Sequence, residues 1–107
     1  MGLTKDFKET IQLRAQRDPA FRKALLQEGT ECLLAGDLDV GKAVLRDYIN
    51  ATVGFEELSL ACGKSSKSLM RMFGPKGNPQ VRNLFAVTSY LQEREGVHLE
   101  VKARKVA

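Results

Sequence analysis

The side chains with the most chemical reach lie in one stretch. Residues 63–92 contain five basic side chains, Lys64, Lys67, Arg71, Lys76 and Arg82, and no Asp or Glu. Between them stand Ser65, Ser66, Ser68 and Asn78. Cations without acidic neighbours suit a polyanion, because each neutralised phosphate releases condensed counterions. Lysine and arginine reach guanine acceptors or phosphate oxygens, and serine both donates and accepts at such edges. The excess is local: residues 1–62 hold eight basic and ten acidic residues, and residues 93–107 hold four and three. The formal charge of +4 therefore originates in the middle of the chain. Charge alone fits a merely solvated basic face equally well.

Other chemistry is poorly represented. Cys32 and Cys62 each stand among apolar neighbours in a helical pattern and read as small buried hydrophobes. His98 is the only histidine and reads as a surface residue, so neither a metal site nor any cofactor is expected. No nucleophile–base pairing or phosphate-binding glycine motif occurs, and an enzyme is not expected. No apolar run is long enough to span a bilayer, and the first residues lack the apolar stretch of a signal peptide. The expectation is a cytoplasmic protein that does not engage membranes.

The elements that must position the basic stretch are helical by period. Phe7, Ile11 and Ala15 mark a first helix over residues 5–17. Asp18-Pro19 caps a second, carried by Phe21, Ala24, Leu25, Cys32 and Leu33 to about Ala35. Val40, Val44, Leu45, Tyr48 and Ile49 mark a third helix, ended by Gly54. A short fourth runs from Phe55 to Cys62, Gly63 turns the chain, and Ser65 or Ser66 caps a fifth that stops at Gly74-Pro75. Asn78-Pro79 starts a sixth, with Val81, Leu84, Phe85, Val87 and Leu91 as its apolar face and Gly96 as its end. Beyond it Val97, Leu99 and Val101 alternate with His98, Glu100 and Lys102, the pattern of a short strand. The fold class is all-α, with residues 1–38 as a two-helix N-terminal extension and residues 39–107 as the main unit. The stripes Phe7-Ile11-Ala15 and Phe21-Leu25-Cys32 require the extension either to cover the third and sixth helices or to bind a partner.

The fourth and fifth helices carry a recognisable arrangement. Ser59 is a small residue where two helices must approach and Gly63 reverses the chain. Leu58, Cys62, Leu69 and Met72 face inward. Ser65, Ser66, Lys67, Met70 and Arg71 then occupy the opposite face. This segment, Phe55-Glu56-Glu57-Leu58, Gly63, Ser65-Ser66-Lys67-Ser68-Leu69, Arg71-Met72 and Gly74, resembles the Cro/C1-type helix-turn-helix family. With Asn78-Pro79 and the apolar helix leading to Leu99, it resembles more closely the HigA-like antidote proteins of toxin–antitoxin modules. The likeness covers roughly residues 40–102.

The resemblance implies a five-helix, lambda-repressor-like unit that binds double-stranded DNA sequence-specifically. It further implies a transcriptional regulator that acts as an antitoxin, represses its own operon and meets a cognate toxin. The alternatives are a phage-repressor-like regulator without a toxin partner, or a protein-interaction module that has lost DNA binding. On the DNA reading, Ser66, Lys67 and Arg71 read bases, and Lys64, Ser65, Ser68, Lys76, Asn78 and Arg82 contact phosphates. A homodimer is expected, since such repressors read two half-sites about one helical turn apart. Its best surface is the end of the sixth helix with the Val97-Leu99-Val101 strand, beside Phe85, Tyr90 and Leu91.

Overall fold

The computed structural model describes residues 5–107, which form six α-helices and, among the described residues, no strand. The order is α1 (Lys5–Arg17), α2 (Pro19–Leu34), α3 (Leu38–Ala51), α4 (Gly54–Cys62), α5 (Ser66–Met72) and α6 (Val81–Glu95). The break between α1 and α2 follows from local chemistry. The Asp18 carboxylate accepts the Phe21 N–H at 3.1 Å, and Pro19 starts the helix where its missing N–H costs nothing. Residues 1–4, at the start of the extension, lie outside the described residues.

One core joins the elements. Leu26 of α2 shares it with Leu45, Tyr48 and Ile49 of α3, Leu58 of α4, Leu69 of α5, and Val87 and Leu91 of α6. α2 packs chiefly on α3, and α1 lies against both. From the α1 stripe only Ala15 is fully buried; Ile11 is half-buried and Phe7 is exposed. Leu26, absent from the expected α2 stripe, is that helix's main core residue.

A polar link crosses the bundle beside this core. The Glu95 carboxylate, at the last turn of α6, accepts Arg22 Nε from α2 at 2.8 and 2.9 Å and the Tyr48 hydroxyl from α3 at 2.5 Å. Arg22 also donates to the Ala15 carbonyl at 2.9 Å, so four helices meet at one guanidinium and one carboxylate. Among the described residues, no buried side-chain nitrogen or oxygen lacks a hydrogen-bond partner.

Three expectations change. Helix α6 starts at Val81, not at Asn78-Pro79: Gln80, at φ −67 and ψ 146, is extended at the N-cap and keeps Asn78-Pro79 in the loop ahead of it. The alternating segment after Gly96 forms no strand within the chain, because no other described segment is extended beside it. Instead Val97 and Leu99 pack against the core, and the Leu99 N–H donates to Gln92 Oε1 at 2.9 Å. Leu91, expected at a dimer surface, is fully buried, whereas Phe85 is exposed. Tyr90 is half-buried and donates to Glu57 at 3.0 Å. No helix among the described residues is long and apolar enough to cross a membrane.

Candidate nucleic-acid interface

The α4–α5 corner is built from local signals. Gly63 ends α4 at φ 66 and ψ 27, the left-handed region where a Cβ is strained. The Ser59 hydroxyl donates to the Lys64 carbonyl and ties the turn to the helix before it. Ser65, in extended conformation, caps α5 by accepting the Ser68 N–H at 3.1 Å. One side of α5 is then pinned: Leu69 is fully buried and Met72 packs on the core. Phe73 follows inward, its ring 6.4 Å from that of Phe55 and tilted by 54°.

The opposite side of α5 faces solvent. Lys67, Ser68, Met70 and Arg71 are exposed, as is Ser65 at the cap. Lys76 and Asn78 on the following loop and Arg82 at the start of α6 are exposed too. Ser66 and Lys64 are half-buried, leaving them less reach than their neighbours. Within the described residues, none of Lys64, Lys67, Arg71, Lys76 and Arg82 forms an ion pair; the pairs that occur lie elsewhere. Of the two acids of α4, Glu57 is already engaged. Glu57 accepts Arg94 Nε at 2.9 Å and the Tyr90 hydroxyl, and these bonds hold its carboxyl below the ordinary carboxylate range.

Helix α3 supplies a part of the site that sequence reasoning missed. Lys42 is buried, and its Nζ donates to the carbonyls of Gly74 at 3.0 Å and Gly77 at 2.7 Å. Arg46, one turn further along, donates to the Phe73 carbonyl at 3.3 Å. The loop that bears Lys76 and Asn78 is therefore fastened from below. A signal existed: Lys42 falls in register with Leu45 and Ile49, a lysine where the apolar stripe calls for a core residue.

No family model, no curated protein and no solved structure matches this chain.

Proposed function

We propose that the α4–α5 pair is a helix-turn-helix within a lambda-repressor-like unit, and that the chain is a sequence-specific, DNA-binding transcriptional regulator of the cytoplasm. The observation that carries this is the two-sided character of α5. Leu69 locks one face into the core, while Lys67, Ser68 and Arg71 stand on the other with no acid paired to them. Seven residues of helix span about 10 Å, a length the major groove accommodates. Ser66, Lys67 and Arg71 take the base-reading role; Lys64, Ser65, Ser68, Lys76, Asn78 and Arg82 clamp the backbone.

Binding titrations on a specific and a scrambled duplex test the assignment. Arg71→Ala is expected to cost about 1–3 kcal/mol on the specific duplex and little on the scrambled one. Lys76→Ala is expected to weaken both alike and to flatten the salt slope by about 1. Equal losses on both duplexes for Arg71→Ala would remove it from base reading. Absence of salt-dependent duplex binding would leave a protein-interaction module instead.

The finer reading is an antitoxin that represses its own operon. It rests on the sequence's resemblance in layout to HigA-like antidotes, from Gly77-Asn78-Pro79 through α6 to Gly96-Val97-His98-Leu99. Neutralisation of a toxin encoded beside this chain is the result that separates it from a phage-repressor-like regulator. On either reading the chain works as a two-fold dimer. Among the described residues the alternating Val97-Leu99-Val101 segment has no ladder partner, and with Val97 and Leu99 packed inward it offers Val101 to a second copy. It borders a groove of about 730 Å³ between α2 and α6, where Leu34, Phe85 and Val101 are exposed. Sedimentation at micromolar concentration should give a dimer for the parent and a monomer for a chain ending at Gly96. A monomeric parent refutes the dimer, and an equally dimeric truncation moves the interface elsewhere.

A further inference from the structure

Lys42 is in the wrong place for its type. Lysine is almost never fully buried unless paired, yet residue 42 is only 5% exposed. Its one acidic neighbour, Asp39, stands 3.9 Å away with a side chain 89% exposed, so water screens most of that attraction. What holds the ammonium inside is the main chain of the loop after α5, through the Gly74 and Gly77 carbonyls.

That loop is folded tightly onto the end of α5. The Gly77 N–H donates to the Gly74 carbonyl at 3.0 Å, and the Gly74 N–H donates to the Arg71 carbonyl at 3.1 Å. Gly77 lies so close to the helix that a Cβ there would fall 2.1 Å from the Arg71 carbonyl oxygen and 2.5 Å from that of Met72. The Arg71 and Met72 carbonyls thus lie against Gly77, at the end of α5 where the helix dipole places its negative end, and the Gly74 and Gly77 carbonyls face Lys42. The Lys42 cation answers the Gly74 and Gly77 carbonyls from beneath, and Arg46 does the same for the Phe73 carbonyl. Lys76 and Asn78 flank Gly77 in the chain, and both are exposed.

We infer that Lys42 is a positioning residue for the DNA-facing loop: its ammonium, clamped between the Gly74 and Gly77 carbonyls, sets where Lys76 and Asn78 meet the phosphate backbone. The inference rests on the DNA reading above. Lys42 itself is too deeply buried to touch nucleic acid, and it acts only through the loop.

The test combines Lys42→Met, which keeps the stem and removes the ammonium, with Lys42→Arg, which keeps charge and donors. Affinity for specific and scrambled duplexes is measured across a salt series. Lys42→Met is expected to weaken both by on the order of tenfold and to flatten the salt slope by about 1, as Lys76→Ala does. Adding Lys76→Ala to Lys42→Met should then cost nothing further, whereas adding Lys67→Ala should cost its full amount. Lys42→Arg should restore most of the affinity. Amide exchange in the free protein should quicken at Gly77 in Lys42→Met while the amides of α4 keep their protection. Where Lys42→Met does not fold, Lys42→Gln, which removes the charge and is too short to reach both carbonyls, carries the same expectations. A folded variant with parental affinity and slope, or effects of Lys42 and Lys76 that simply add, overturns the clamp. A parent that binds no duplex overturns the DNA reading itself, and the role of Lys42 with it.

Discussion

Leu69→Ala is expected to lower the unfolding free energy by roughly 2–5 kcal/mol and, on the proposed DNA-binding role, to remove most of the duplex affinity. Leu69 is fully buried and shares the core with Phe55, Leu58 and Phe73. It is the only residue of α5 with no solvent contact, and α5 has seven residues. A helix that short does not persist in water on its own, so its position depends on the packing of this side chain. Truncation removes the transfer free energy of the lost carbons and leaves a cavity that the corner, fixed by Gly63 and the Ser65 cap, closes only in part. Leu69→Met conserves volume and is expected to cost less than about 1.5 kcal/mol. Urea denaturation of both variants checks the stability, and titration with duplex DNA checks the function. If Leu69→Ala unfolds with the parent's midpoint yet no longer binds DNA, Leu69 faces the groove and the orientation of α5 is reversed.

Arg22→Met should cost about 3 kcal/mol near neutral pH, because it leaves the Glu95 carboxylate inside without its cation. The Glu95 side chain is only 6% exposed. Burial alone would raise its carboxyl, but the hydrogen bonds from Arg22 and Tyr48 and the Arg22 charge outweigh burial and hold it below the ordinary carboxylate value. A carboxyl depressed in the folded state contributes stability in full above its unfolded value and loses it as pH falls through the folded value. The penalty of Arg22→Met is therefore largest near neutrality and shrinks in acid, where Glu95 is neutral in both proteins. Tyr48 does not blur this window. Burial, then the bond to Glu95 and its charge, push the phenol upward, so it remains a donor throughout. Stability measured from pH 3 to 8 checks the sign, and Glu95→Gln added to Arg22→Met should recover part of the loss. A penalty that does not change with pH would mean that packing, not charge, is what Arg22 supplies.

Signals local to a few residues are legible in the sequence. Asp18-Pro19, Ser65, Gly63 and Gly96 act on backbone groups within one turn, and each stands where the expected helix starts or stops. The inward register of Leu58, Leu69 and Met72 was readable for the same reason, since one period governs it. What escaped depends on contacts distant in sequence. Nothing near Glu95 says that a carboxylate in the last turn of α6 meets Arg22, and nothing near Lys42 says that Gly74 and Gly77 lie above it. The Phe7 stripe misled in the opposite way: its period is helical, but α1 lies at the margin of the bundle and little covers its outer face. The alternation after Gly96 has the period of a strand, but a strand also needs a mate, which no period supplies, and the described segment forms none.

The Arg22–Glu95 bond also governs when the bundle can close during synthesis. Chains emerge from the N-terminus, and neighbouring helices such as α2 and α3 can meet early because little loop entropy opposes them. Arg22 and Tyr48, however, wait for a carboxylate that is made 73 residues after Arg22. Until then the Arg22 guanidinium has the Ala15 carbonyl but not the carboxylate, and the Tyr48 hydroxyl lacks the Glu95 acceptor, so both stay turned to water. The charged link that ties α2 and α3 to α6 is thus available only once the last turn of α6 has been made.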